Sequence, residues 1–348
     1  MKAFLYFINI LMLVAGAVPA WSRSSSSTGT DQDESVSVEK ATPNPIIRNR
    51  FTADPAPLTV GDTLYLYAGH DEGNDGFRID EWVVYSTKDM ATWTDHGVLM
   101  RPTDFAWAEG EAWASQMVER DGRFYFYTTV EHDDTHPGKA IGVAECDTPV
   151  GPCRDARGSA LILDNPETWR AWSDIDPTVI VDADGTPWMA WGNSNLYLVR
   201  LKPNMIELDG EVQELSLTNF LEGPWLHRRG NLYYMTYASF VEGEQNAEHI
   251  SYATAPSMEG PWTYRGELTA AAKNSFTIHP GVEKFKGQWY FFYHNGALTI
   301  DGVEGSEYRR AVAVEHLLYD ENDGLEPIVQ TVEGVSIPPC EEGTPFAE

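Results

Sequence analysis

The sequence predicts an all-β protein built as a five-bladed β-propeller. One plan recurs five times along the 348 residues: a polar head, a β-branched or aromatic strand, a Gly turn, an aromatic strand, a third strand ending in Ala or Thr, and a Trp turn. Modules of roughly 45–65 residues with several short strands each are the sequence form of propeller blades. The clearest copy, residues 173–192, has Asp176-Pro177 opening a β-branched run, an Asp/Gly-rich turn over 182–185 and a second aromatic run, which reads as a β-hairpin. A β-sandwich also uses many short strands but has no reason to repeat this plan in order.

Taken in order, the first module runs from Asp54-Pro55 through 63–68 and 82–87 to Trp93. The second runs from Trp113 through Asp121-Gly122, 124–127 and 141–144 to the Gly151-Pro152 turn. The third opens at Asp176 and the fourth at Glu222, the latter continuing through 232–237 and 250–254 to Gly260-Pro261-Trp262. The fifth opens at His279-Pro280 and continues through 289–293 and 310–315. The segment around Ile46-Ile47 precedes the first module and is expected to close the ring against the last blade, removing exposed sheet edges.

An apolar content of 42% and an aromatic content of 12% suffice for a sizeable core. Met1-Lys2, an apolar run to about Ala17 and Val18-Pro19-Ala20 form a signal peptide over residues 1–20, which predicts a secreted protein, extracellular or periplasmic. The run is too short for a spanning helix. Residues 21–43, rich in Ser and acids, read as a linker, 44–338 as the catalytic propeller and 339–348 as a tail. A net charge of −29 repels phosphates and anionic lipid, so neither nucleic acid nor membrane is expected as a partner, and a neutral substrate fits better. A monomer is expected. Cys146 and Cys153 flank the turn over 147–152 and in an oxidising compartment can close a small loop across a hairpin, which leaves Cys340 unpaired.

The first strand of each blade lines the propeller axis, so the heads of different blades converge. Three heads are read as carboxylates, Asp54, Asp176 and Glu222; the other two are the Trp113/Ala114 region and His279. Crowded, desolvated carboxylates have their pKa values pushed apart, which separates an acid from a base and suits glycoside hydrolysis with inversion. Clustered acids also bind Ca²⁺. The abundant aromatics favour sugar, because Trp and Tyr faces stack on sugar C–H surfaces. Trp113 is a candidate platform of this kind, with core packing as the alternative.

The segments Phe51-Thr52-Ala53-Asp54-Pro55-Ala56-Pro57, Tyr67-Ala68-Gly69-His70-Asp71-Glu72, Asp174-Ile175-Asp176-Pro177-Thr178, Glu222-Gly223-Pro224-Trp225, 260–266 and 290–295 resemble glycoside hydrolase family 43. The resemblance covers about residues 44–335. It implies an inverting glycosidase with Asp54 as general base, Glu222 as general acid, and Asp176 orienting Glu222 and raising its pKa. It also implies substrate-binding positions at His70 and Asp71, and an Arg310 that reaches the pocket while Arg309 points away, as strand side chains alternate. His279 matches an axial His that holds a structural Ca²⁺ or its water, or else is a purely structural His; no cofactor is otherwise required. His132 and His136, with acids between, would suit a metal on a helix, but their place between strands predicts a loop at the pocket rim.

Within this resemblance an exported single propeller points to an α-L-arabinofuranosidase acting on arabinoxylan or arabinan-type plant polysaccharide. A β-D-xylosidase, or an enzyme cutting both, is the close alternative. A non-catalytic sugar-binding propeller would lack acids that are present here. Retaining fructan-cleaving propellers open on Asn-Asp-Pro-Asn-Gly, where this chain has Ala53-Asp54-Pro55-Ala56.

Overall fold

The computed structural model describes residues 43–73, 76–163, 172–241 and 244–336. The predicted leader, nearly all of the linker, the last residues of the predicted domain and the tail with Cys340 lie outside the described residues.

Five antiparallel sheets follow one another along the chain, as predicted. Blade 1 comprises β1 (Thr52–Val60), β2 (Thr63–Asp71), β3 (Ile79–Thr87) and β4 (Thr94–Met100), paired in chain order. Blade 2 is larger, with β5 (Ala108–Gly110), β6 (Ser115–Arg120), β7 (Arg123–His132), β8 (Gly138–Cys146), β9 (Cys153–Asp155) and β10 (Ile162–Leu163). Blade 3 holds β11 (Thr178–Val181), β12 (Pro187–Trp191), β13 (Leu196–Leu201) and β14 (Leu208–Leu215). Blade 4 holds β15 (Phe220–Arg229), β16 (Leu232–Val241), β17 (Glu244–Ala255) and β18 (Thr263–Thr269). Blade 5 consists of β19 (Gly281–Phe285), β20 (Gln288–Asn295) and, after a small hairpin of β21 (Thr299–Ile300) and β22 (Val303–Glu304), β23 (Ala311–His316).

The aromatic runs are unbroken because every blade is covered on both faces by its neighbours, so both alternating sets of a strand's side chains need apolar surroundings. Strand β20 shows this directly. Tyr290 and Phe292 pack with Leu64, Leu66 and Val83 of blade 1, whereas Phe291 and Tyr293 pack towards Trp225, Tyr234 and Tyr252 of blade 4. Truncating a fully buried Phe such as Phe291 therefore opens a cavity between two blades, at a cost of about 3–5 kcal/mol.

The chain before β1 closes the ring. The backbone N–H groups of Ile46 and Thr52 donate to the carbonyls of Val312 (2.8 Å) and Arg310 (2.8 Å), and the Asn44 side chain bridges Val314 and Glu315. Cys146 and Cys153 face each other across β8 and β9 and are joined in a disulfide, in agreement with the first of the two cysteine expectations. Residues 133–136 form the expected loop, with the rings of His132 and His136 5.1 Å apart and His132 packed on Trp107; none of them lines the axial pocket.

Candidate active site

Register defines the blade heads more closely than sequence could. In blade 1 Ala53 faces Gly69 and Ala56 faces Tyr67; in blade 4 Glu222 faces Ala238 and Trp225 faces Thr236. The same one-residue bulge occupies both, so the residue equivalent to Asp54 is Gly223, not Glu222. Blade 3 agrees, with Thr178 facing Ala190 and the Gly192 N–H on the Ile175 carbonyl, which puts Asp176 at the equivalent place. Asp54 (φ +52°), Asp176 (φ +61°) and Gly223 (φ +55°) share a left-handed backbone, and each is followed by Pro. The expectation of three carboxylates at one position is therefore corrected to two, with Glu222 one residue earlier. The reason is steric: a Cβ at position 223 would stand 3.0 Å from the His279 ring. Glycine lets the backbone pass, and its N–H donates to Asp176 Oδ2 at 3.0 Å.

The acids nevertheless converge. His279, from the head of blade 5, has Nε2 3.0 Å from Glu222 Oε1 and 4.0 Å from Asp176 Oδ2, and Nδ1 3.1 Å from Asp54 Oδ1. Asp54 and Glu222 thus stand on opposite sides of one imidazole ring. Burial works against a charge on His279, but the carboxylates of Asp54, Asp176 and Glu222 overcome it and hold the ring as an imidazolium, well above the usual histidine range. Asp176, Glu222 and His279 bring three ligand atoms within 4.8 Å of one another, the donor set that a cation would use once the ring gives up its Nε2 proton.

Asp54 is positioned from two sides. Its N–H donates to His294 Nδ1 at 3.1 Å, which puts the His294 proton on Nε2, facing the Thr277 carbonyl at 3.0 Å. Its carboxylate lies 3.3 Å from Arg310 Nη1. Burial pushes the Asp54 pKa up, but Arg310 and His279 together hold it well below the usual carboxylate range. Arg310, 3% exposed, is itself fixed by a bidentate pair with Asp71, with Nε to Oδ2 at 2.8 Å and Nη2 to Oδ1 at 2.9 Å, and reaches Thr277 at 3.1 Å. Arg309 turns outward to the Glu304 carbonyl, as strand alternation predicted.

Asp176 has no such cation alongside. Burial, reinforced by Glu222 and Asp54 against the opposing pull of His279, pushes its pKa up to about 8. For Glu222 burial also acts upward, but the His279 hydrogen bond and charge outweigh it and hold the carboxyl down, while Asn193 donates to Oε2. The pair therefore shares protons with His279 as one titrating unit.

The pocket above these groups is an open cleft, about 370 Å³ with the solvent at its mouth, and has Asp54, Asp176, Glu222, His279, Arg310 and Thr277 at its base. Phe77, Ile79, Trp113, Trp172 and Ile175 complete its wall. Trp113 is a wall residue, as the platform expectation requires: its ring lies 4.9 Å from that of Trp172, its Nε1 donates to the Phe77 carbonyl, and the Lys139 ammonium sits 3.7 Å from its centroid. Asp71 lies beneath the pocket and acts on it through Arg310. His70 is not in the lining; its ring pairs with Glu81 at 3.1 Å and Glu72 at 3.4 Å. The sequence reading missed Thr277, Asn193, His294, Phe77, Trp172 and Lys139. Only His294 lay within a quoted motif; Trp172, two residues before the Asp174-Ile175-Asp176 stretch, and Phe77, five residues after the segment ending at Glu72, had an aromatic signal to follow.

A β-propeller whose axial pocket gathers carboxylates, an imidazolium and an arginine beneath a wall of aromatic rings has the architecture of a glycoside-cleaving enzyme. Residues 42–325 match glycosyl hydrolases family 43, and the chain belongs to that family. A xylosidase/arabinosidase 43A of Humicola insolens is 25% identical over 337 residues, covering 80% of this chain and 97% of the relative. An arabinoxylan arabinofuranohydrolase of Paenibacillus polymyxa is 25% identical, covering 84% of this chain and 52% of the relative. A GH43 enzyme of Xanthomonas citri, solved in complex with xylotriose, superposes with a TM-score of 0.73 at 25% identity, covering 86% of this chain and 97% of the other.

Proposed function

We propose that this glycoside hydrolase is an exported, inverting, exo-acting α-L-arabinofuranosidase that removes arabinofuranosyl groups from arabinoxylan or arabinan-type hemicellulose. The observation that carries the mechanism is the placing of Asp54 and Glu222 on opposite sides of the His279 ring. Inverting glycosidases hold their two carboxyls about 6.5–9.5 Å apart to admit a water, against about 5 Å in retaining ones. Asp54, kept ionised by Arg310 and His279, takes a proton from that water. The water oxygen bonds to the anomeric carbon as the glycosidic C–O bond breaks, and Glu222 gives its proton to the departing oxygen. A sugar seated over Glu222 shuts out water, which favours neutral carboxylic acid and imidazole over the ion pair and moves the shared proton from His279 to Glu222. Asp176 stays protonated beside it and keeps the pair from losing both protons near neutral pH.

A small pocket at the propeller axis suits one terminal pentose, with Trp113 and Trp172 set to stack on it or on the next sugar. Export is supported by the leader and by the Cys146–Cys153 disulfide, a bond of oxidising compartments. A monomer and a neutral plant polysaccharide as partner complete the reading. Calcium is optional in it: a cation held by Asp176, Glu222 and His279 must displace the ring proton, and a chelator should leave the initial rate unchanged. The xylosidase reading is favoured by the dual name of the Humicola insolens relative and the xylotriose complex of the Xanthomonas citri enzyme.

Nitrophenyl α-L-arabinofuranoside and β-D-xyloside, assayed beside arabinoxylan oligosaccharides, decide between these. A higher kcat/KM on the arabinofuranoside is expected, and a higher one on the xyloside would transfer the assignment to xylosidase. Proton NMR of the first-formed sugar should show the inverted anomer. Binding without cleavage would overturn catalysis altogether.

A further inference from the structure

Lys139 is 6% exposed and takes no part in the chemistry above. It faces Glu131 across β7 and β8, and its ammonium lies 2.8 Å from Glu131 Oε2 and 3.9 Å from Glu111 Oε2. The same ammonium stands 3.7 Å from the centre of the Trp113 ring, too near for an approach in the ring plane, so it covers one face. Trp113 lines the pocket and Lys139 does not, which makes the covered face the one turned away from substrate. The Trp113 indole N–H donates to the Phe77 carbonyl at 3.1 Å, and its carbonyl accepts the Trp82 Nε1–H at 2.7 Å. Ring face, ring edge and backbone of Trp113 are thus all held. Trp172 is placed differently: it is 47% exposed, its ring leans on Trp113 at 4.9 Å with a 43° tilt, and the Lys139 ammonium lies 5.8 Å from its centre.

We propose that Lys139 is a positioning residue for a leaving-sugar platform: by anchoring Trp113 it sets the angle at which Trp172 receives the sugar joined to the terminal pentose. This rests on the exo-acting reading, in which the terminal pentose takes the base of the pocket. The base holds the carboxylates and Arg310, so a sugar stacked on the half-bare Trp172 ring lies beyond it, towards the polymer. An apolar side chain would fill the space behind Trp113 equally well. What the ammonium adds is direction, since its attraction is aimed at the ring face while Glu131 ties it to the neighbouring strand. The side chains of Glu131 and Glu111 are 34% and 35% exposed, so removing Lys139 strands no buried charge and the fold should survive.

The test compares Lys139→Met, Trp172→Ala and the double variant on arabinoxylan oligosaccharides, with free arabinose as an inhibitor that reports on the terminal pocket alone. Lys139→Met should raise KM about fivefold and Trp172→Ala about tenfold, with kcat within about twofold of wild type and arabinose inhibition unchanged. In the double variant the Lys139 effect should vanish, because it acts through Trp172. Lys139→Arg, which keeps a cation able to stack on the indole, should restore the wild-type KM. An unchanged KM in Lys139→Met, additive losses in the double variant, an Arg variant as impaired as Met, or arabinose inhibition weakened to the same degree would each overturn the proposal. A second readout needs no substrate. The near-ultraviolet circular dichroism of the two adjacent indoles, identified by its loss in Trp172→Ala, should change in Lys139→Met and return in Lys139→Arg; an unmoved signal would show that Lys139 does not set the angle of the pair. Should Lys139→Met fail to fold, Lys139→Gln, neutral but still able to donate to Glu131, is judged by the same outcomes. A wild type that cleaves xylo-oligosaccharides instead is tested in the same way with xylose as the inhibitor, and one that cleaves neither defeats the functional reading while the dichroism still decides on Lys139.

Discussion

Asp54 and Asp176 occupy the same position in two blades, share a left-handed backbone and a following Pro, and are both buried, yet they stand at opposite ends of the carboxylate scale. Asp54 is held down by Arg310 and His279 against its burial, whereas burial among other acids pushes Asp176 up to about 8. The difference arises from Arg310, which the last blade delivers to Asp54 and not to Asp176. Residue type and backbone position set where a carboxylate points; its neighbours set whether it serves as a base or holds a proton.

The largest effect is expected from Asp54→Asn, which removes the ionised member. Turnover should fall by at least about 10²–10⁴-fold on good and poor leaving groups alike, because among the described residues Asp54 is the carboxylate that faces His279 Nδ1 and would activate water there. Parallel assays of nitrophenyl glycosides and oligosaccharides check this, and a loss confined to poor leaving groups would exchange the roles of Asp54 and Glu222.

Arg310→Met strikes at the cause of the difference. It leaves Asp71 and Asp54 buried without their cation, at a cost of about 3–5 kcal/mol, readable as a lower midpoint in denaturant unfolding. With its main cation gone Asp54 protonates at higher pH, so the acidic limb of the rate profile, below which the base is neutral, should move to higher pH. Asp176→Asn acts on the opposite limb. The ionisation near 8 belongs to the Asp176–Glu222 pair, and Glu222 left with His279 and Asn193 is held down, so the alkaline limb should move to lower pH. A profile that only drops in height would make Asp176 a substrate-positioning group.

The smallest effect tests the third head. Gly223→Ala adds a Cβ 3.0 Å from the His279 ring at φ +55°, costing about 1–2 kcal/mol from backbone conformation alone, and should lower the thermal midpoint modestly while disturbing both limbs through His279.

How much of this was legible in the sequence follows from where each residue lies. Blade number, order and ring closure could be read because each blade repeats its strand and turn chemistry. Asp54, Asp176 and His279 could be read because a Pro marks each head. Glu222 was found but placed one residue out of register, since only strand pairing reveals that Gly223 is the true head. Asp71 became intelligible only with its bidentate contact to Arg310, 239 positions away. Lys139 and Asn193 carry no mark of their own: a polar residue in or beside a strand reads as surface until the ring closes and turns it inward. His70 illustrates the converse, a motif neighbour that the strand's alternation directs away from the pocket.

The central claim is tested most directly by observing the two aspartates. Carbon-13 NMR of the carboxyl-labelled aspartates, with Asp54→Asn and Asp176→Asn used for assignment, gives each protonation state as a function of pH. Asp54 should remain a carboxylate throughout the range in which the protein is folded, and Asp176 should be protonated at neutral pH and titrate near 8. Two aspartates titrating together in the ordinary carboxylate range, or Asp54 as the protonated one, would contradict the assignment of base and proton-holder.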